Sequence, residues 1–255
     1  MNHKFFSIAI SSSIITLISG SYLDKSKNMN ERVESIISRY FPHEDQSKAL
    51  HCIMAKPNDD IRGCIKDKAI FRYKNPQFQN SPTMLDFLWV NRHETGFTPQ
   101  KMSALILSGA SPKDIATNVI LESEPEYFAA FVEAAGGPNA LNDLGWGDGS
   151  IMHAAVAYWD DAKINHLATL GANWEQKSPL AHETAVLVAR RSGAGASEFE
   201  RINRLLDLGA NPRALDKWGT GLCDFIATGR STWDDDGSQR AALKKRLKDE
   251  FLMEC

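Results

Sequence analysis

Short stretches of this 255-residue chain recur, and recurrence at a near-constant distance restricts what a chain can fold into more than any single motif does. The plainest unit opens at Asp148-Gly149-Ser150-Ile151-Met152-His153-Ala154-Ala155, continues through Ile164–Leu170 and ends in Gly171-Ala172-Asn173. A second opens at Glu183-Thr184-Ala185 and ends in Leu205-Leu206-Asp207-Leu208-Gly209-Ala210-Asn211-Pro212. A third opens at Gly219-Thr220-Gly221-Leu222-Cys223. Ser150, Thr184 and Thr220 stand 34 and 36 residues apart; Gly171 and Gly209 are 38 apart because Ser192–Ser197 inserts extra residues. A unit of this length buries its apolar face only against its neighbours.

Local chemistry fits two helices per unit. Glycine just past the second helix closes it in the left-handed conformation. Ser150, Thr184 and Thr220 are placed to cap the first helix and tie the turn. The small Ala154, Ala155 and Ala189 let neighbouring helices approach. Upstream, Leu107-Ser108-Gly109-Ala110-Ser111-Pro112 and Ala135-Gly136-Gly137-Pro138-Asn139 read as degenerate unit endings, and Ser81-Pro82-Thr83-Met84-Leu85 as a degenerate opening. These segments resemble the ankyrin repeat, whose period is about 33 residues with a Thr-Pro-Leu-His opening. The resemblance covers residues 81–229 and is degenerate before about 145. It implies an all-α ankyrin-repeat solenoid of helix-turn-helix repeats with hairpin loops, and a framework role for His153.

The flanking segments differ. Residues 22–80 read as a helical N-terminal region, with Val33, Ile36, Ile37, Tyr40 and Phe41 on one helical face. A second helix is expected over Gln46–Ala55, ended by Pro57. Residues 230–255 read as an acidic loop and a C-terminal capping helix, with Leu243, Leu247 and Phe251 turned inward and charges outward.

Residues 1–21 read as an export signal: Lys4, then an apolar stretch from Phe5 to Gly20, then Ser19-Gly20-Ser21 at a small-residue cleavage site. Leu17-Ile18-Ser19-Gly20 resembles the start of a bacterial lipoprotein box, but Ser21 replaces the cysteine that would carry the lipid. The expected location is therefore the periplasm without a lipid tether; a start at Met29 would give a cytosolic form. Cys52 and Cys64 can close a short loop across Lys56–Asp60, worth about 3 kcal/mol on the chain-entropy model. Cys223 and Cys255 are a looser pair, and four cysteines allow three connectivities.

No catalytic motif is present. His93-Glu94 and His182-Glu183 begin like zinc-protease helices, but Phe97 and Val186 stand where a second ligand is needed. Asp234-Asp235-Asp236-Gly237 lacks the alternating ligands and closing Glu of a calcium loop. The expectation is a non-enzymatic chain with no cofactor, metal or small-molecule substrate. A net charge of −3 with no basic block argues against nucleic acid as a partner. Protein binding is the alternative, and aromatic residues near acids at hairpins and turns suit it. The candidate partner-binding residues are Trp146, Asp148, Tyr158, Trp159, Asp160, Asp161, Trp174, Glu175, Asp216 and Trp218.

In architecture the chain most resembles exported bacterial ankyrin immunity proteins paired with type VI secreted lipase effectors. The resemblance implies a 1:1 complex that blocks a phospholipase's active-site mouth, with acidic rims steering the encounter. A periplasmic ankyrin scaffold for an envelope or stress-response protein is the alternative.

Overall fold

The computed structural model of the chain describes residues 29–56, 60–78, 81–142, 144, 149–190, 198–228 and 237–255. Among these, all regular secondary structure is helical, apart from one antiparallel bridge between Leu144 and Gly149. The chain divides into two compact units, one ending at Ser111 and the other spanning Pro112–Cys255. The proposed signal segment 1–21 lies outside the described residues. No described helix is long and apolar enough to cross a membrane.

In the first unit, α1 (Met29–Tyr40) and α2 (Glu44–Ala55) form where the apolar spacing places them. Ile37, Phe41, Leu50 and Ile53 are almost fully buried. The segment after α2 makes two short 3-10 turns, Arg62–Cys64 and Lys68–Phe71, and packs back on α2. Two devices fasten it. The Cys52–Cys64 disulfide joins α2 to the first turn, and the buried Gln46 amide donates to the carbonyls of Ile70 (2.6 Å) and Tyr73 (3.0 Å). Pro57 lies outside the described residues. Three further helices follow: α3 (Met84–Val90), α4 (Arg92–Thr95) and α5 (Pro99–Leu107). Thr83 and Asp86 cap the start of α3 reciprocally. Lys101 is 2% exposed, and its ammonium donates to the Gly96 carbonyl at the end of α4, where helix carbonyls lack intrahelical donors.

Among its described residues the second unit contains, two by two in chain order, α6 (Ala116–Glu122) and α7 (Pro125–Ala134), α8 (Ile151–Tyr158) and α9 (Asp161–Thr169), α10 (Ala185–Ala189) and α11 (Glu198–Asp207), and α12 (Leu222–Thr228) and α13 (Ser238–Phe251). Contacts run along the series as well as within it. First helices meet in the order α6–α8–α10, while second helices meet as α7–α9 and α11–α13. This explains the composition of α8 and α10, where Ile151, Met152, Ala155 and Val156, and all of Ala185–Ala189, are buried. A helix covered on several sides has little need of a polar face. On α13, Leu243 and Leu247 are fully buried, and the Cys223–Cys255 disulfide ties the chain end to α12.

The helix ends repeat in atomic detail. At Gly109, Gly136, Gly171 and Gly209 the glycine amide and the following amide close the preceding helix in the same way. Gly171 donates to Ala168 and Ala172 to Leu167; Gly209 donates to Leu206 and Ala210 to Leu205. The equivalent bonds are Gly109 to Ile106 with Ala110 to Leu105, and Gly136 to Glu133 with Gly137 to Val132. The φ angles of Gly171 and Gly209, 73° and 88°, require glycine there.

Within the second unit, His153 joins one helix opening to the following hairpin. Its Nδ1 accepts from the Ser150 amide (3.1 Å) and faces the Ser150 hydroxyl (2.9 Å). Its Nε2 therefore carries the proton and donates to the carbonyls of Gln176 and Glu183, each at 3.0 Å. One helix opening thus holds the hairpin that leads to the next. The expected threonine caps do not form this way. Thr184 makes no side-chain cap bond, and at α12 the Asp224 carboxylate accepts from the Gly221 amide instead.

This packing has two measurable consequences. A Cβ at Gly149 would stand 2.5 Å from His153 Cβ. Gly149→Ala is therefore expected to cost about 1–3 kcal/mol in urea unfolding, as overpacked cores do. In the first unit, His51 donates from Nδ1 to the Ser47 carbonyl (2.6 Å) and from Nε2 to Glu34 (2.8 Å). Hydrogen bonds to Glu34 and then to Ser47 raise its pKa above the usual value. A raised histidine pKa contributes stability that is fully present below about pH 6.5 and is lost as pH rises through the higher folded value. Glu34→Gln should therefore lower the melting temperature in mildly acidic buffer and leave it unchanged at alkaline pH.

Candidate functional site

The hairpin segments 173–184 and 209–221 carry most of the described candidates, and their side chains alternate. Asn173, Glu175, Lys177 and Pro179 are exposed, with Trp174 and Ser178 buried between them. In the next hairpin Asn211, Arg213, Leu215 and Lys217 are exposed, while Pro212, Ala214 and Asp216 are buried. This is the period-two pattern of an extended chain. Trp174 therefore points inward, at 7% exposure, and its carbonyl accepts from the Ala185 amide. Trp146 and Asp148 lie outside the described residues.

The hairpins are bonded edge to edge at nearly the repeat distance. The Asn139 side chain accepts from the Asn173 amide (2.8 Å) and donates to its carbonyl (3.1 Å). Glu175 Oε1 accepts from the Asn211 amide (2.7 Å), and the Lys217 amide donates to the Ala181 carbonyl (3.1 Å). Glu175 is exposed, yet part of its carboxylate is engaged in this framework.

The turn Tyr158–Asp161 serves α9. Asp160 accepts from the amides of Ala162 (2.9 Å) and Lys163 (3.1 Å) and so caps the helix. Trp159, 7% exposed with φ 35°, donates its indole N–H to Asp161 (3.2 Å). Tyr158 is half-buried, and desolvation pushes its phenol up to about 12. Lys163 is buried below this turn, donates to the Ile120 carbonyl (2.6 Å) and lies over the Phe128 ring (5.6 Å). Desolvation lowers its pKa. Asp160 and Asp161 remain exposed; both have assigned structural bonds.

Asp216 is the organising group of the second hairpin. Its Oδ1 accepts from the amides of Trp218 and Thr220, each at 2.9 Å, and its Oδ2 accepts from Arg190 (2.6 Å). Arg190 also reaches Glu183 (3.3 Å), so one guanidinium joins the acids of two hairpins. Burial pushes the Asp216 carboxyl upward, but the Thr220 amide, Arg190 and the Trp218 amide outweigh it and hold the pKa below the usual carboxylate value. Asp216 is thus a buried positioning group that fixes the backbone on which Trp218 stands. Trp218 itself is 68% exposed, with Lys217 Nζ 4.5 Å from its ring centre.

Of the aromatic candidates among the described residues, Trp218 presents its ring to solvent, while Trp159 and Trp174 pack inside. Sequence reasoning missed Leu180 and Leu215, which are 70% and 51% exposed. A signal existed: Leu180 precedes Trp218 by the same 38 residues that separate Gly171 from Gly209. In the first unit, a cleft of about 500 Å3 lies beside Cys52 and Cys64. Its Lys48 pairs with Glu44 and its Asp67 caps the adjoining turn, which assembles no reactive set. Among the described residues, no group of three His, Cys, Asp or Glu is placed to hold a metal ion.

Removing the Asp216 carboxylate leaves Arg190 and Glu183 in a damaged buried network. Asp216→Ala should cost about 3 kcal/mol or more in denaturant unfolding, in the range found when one partner of a buried ion pair is lost. Because the folded pKa is depressed, the Asp216 contribution is present above the unfolded carboxylate value and disappears as pH falls through the folded one. The wild-type advantage should shrink at strongly acid pH; a gap that stayed constant there would contradict this role.

Compared with protein-family models and with curated proteins, the sequence matches none.

Proposed function

We propose that the helix pairs of Pro112–Cys255 are ankyrin repeats and that the chain is an exported, non-enzymatic protein-binding module, an immunity protein that neutralises an antibacterial type VI phospholipase effector in a 1:1 complex. The observation that carries the repeat reading is the His153 bridge. A helix-opening histidine bonds its own Ser150 and the carbonyls of the next hairpin. The recurring glycine closures and the serial contacts of first and second helices support the same reading.

The protein-binding reading rests on an exposed tryptophan at a hairpin tip held by buried ionic groups. Rigid aromatic side chains in such settings are the residue type that dominates interface energies. The step from protein binding to immunity rests on resemblance: an apolar N-terminal segment suited to export, followed by ankyrin-like units. Neutralisation would be steric, with the hairpin face covering the mouth of the lipase site. Location in the periplasm follows from the export reading of residues 1–21.

Deletion of the gene tests the role. Cells lacking the chain should become sensitive to toxin-competent siblings, and plasmid-borne wild-type chain should restore resistance. The purified chain and the phospholipase encoded beside it should form a 1:1 complex with suppressed lipase activity. Deletion without a change in sibling sensitivity would overturn the immunity role.

A further inference from the structure

Two large apolar side chains occupy corresponding places on successive hairpins. Leu180 and Trp218 are 70% and 68% exposed, and the Lys217–Ala181 backbone bond holds their hairpins together. Leu215, 51% exposed, lies on the second of these hairpins. Isolated exposed leucines are ordinary on a protein surface. Here three large apolar groups stand exposed on two bonded hairpins, and the buried Arg190–Asp216–Glu183 network fixes the backbone that carries them.

The exposed charges on these two hairpins have one dominant sign. In the two hairpins the exposed cations are Lys177, Arg213 and Lys217. Of the three acids there, Glu183 and Asp216 are buried with Arg190, and exposed Glu175 accepts from the Asn211 amide. Arg213 is oriented by bonds to the carbonyls of Phe251 and Leu252, and Lys217 stands over Trp218. The expected steering by acidic rims therefore does not apply at this face. A partner brought here gains by supplying negative charge.

We propose that the Leu180–Leu215–Trp218 tip is the docking surface, and that its occupant is a protein segment presenting an apolar side chain flanked by carboxylates. This rests on the protein-binding reading above and adds the partner's chemistry. The apolar group would seat against Trp218 and Leu180, and the carboxylates would meet Lys177 and Lys217. An anionic bilayer would feel the same charges. Three cations, however, are fewer than the about four to eight Lys or Arg residues that hold a polybasic segment on such a membrane.

Phage-displayed random 12-residue peptides, panned against the purified full chain, supply a probe in which every side-chain chemistry competes for the tip. Selected peptides should carry acids on both sides of an apolar residue and lose affinity as salt rises. They should bind the Trp218→Ala and Leu180→Ser chains about tenfold or more weakly. Both substitutions are at exposed side chains; Leu107→Ser, at a leucine 73% exposed in the other unit, should bind like wild type. Selected peptides that are neutral or basic, peptides indifferent to both substitutions, or failure to select any binder would overturn the proposal. So would Trp218-dependent adsorption to phosphatidylglycerol vesicles without acidic-peptide binding. Acidic selectivity at the tip with no sibling-sensitivity phenotype would leave this surface standing and remove the immunity role. An immunity phenotype with toxin binding indifferent to Trp218 and Leu180 would do the reverse.

Discussion

The helices between Pro112 and Cys255 are short, and their apolar residues are buried against neighbouring helices rather than within one helix pair alone. The helix Ala185–Ala189 states this constraint most simply: all five residues are buried, and its packing neighbours are the helices Ile151–Tyr158 and Glu198–Asp207. Such a helix would have little stability alone, since nucleating so short a segment is unfavourable. Contacts between neighbouring helices thus supply the burial that this helix lacks by itself, and polar bonds tie the hairpins beside them together.

His153 shows how the two requirements meet in one side chain. Its ring is 5% exposed, yet both nitrogens have partners, which avoids the cost of a buried unsatisfied polar group. The nearby Gly149 leaves space for that ring, so the Gly-Ser-x-x-His spacing is a packing device rather than a reactive constellation. Arg190 performs a comparable task one unit later, joining Glu183 to Asp216 by charge rather than by a neutral ring. The exposed tip therefore stands on groups that are themselves immobilised by burial.

The helices at Met29–Tyr40 and Glu44–Ala55 and the glycine closures were legible because each follows from local spacing or backbone geometry, whereas the framework role of His153 was implied by the resemblance to the ankyrin repeat. The inward direction of Trp174 was harder to see. It depends on hairpin alternation, whose phase becomes clear only when Ser178 and Asp216 are known to be buried. Trp159 was obscured similarly, because a positive φ at the helix end turns its indole toward Asp161. Composition favoured every tryptophan equally as an anchor; neighbouring chain segments decide which remain exposed. Leu180 was overlooked for the converse reason, as leucine is common enough that its place at a hairpin tip drew no notice.

Coupling between successive helix pairs is most directly measured by native-state hydrogen exchange in wild type and His153→Ala. If the histidine joins successive repeats, the substitution should accelerate exchange at Val156 and at Leu187 together, by similar factors. Acceleration confined to the helix that carries His153, with Leu187 unchanged, would contradict the coupled-repeat account.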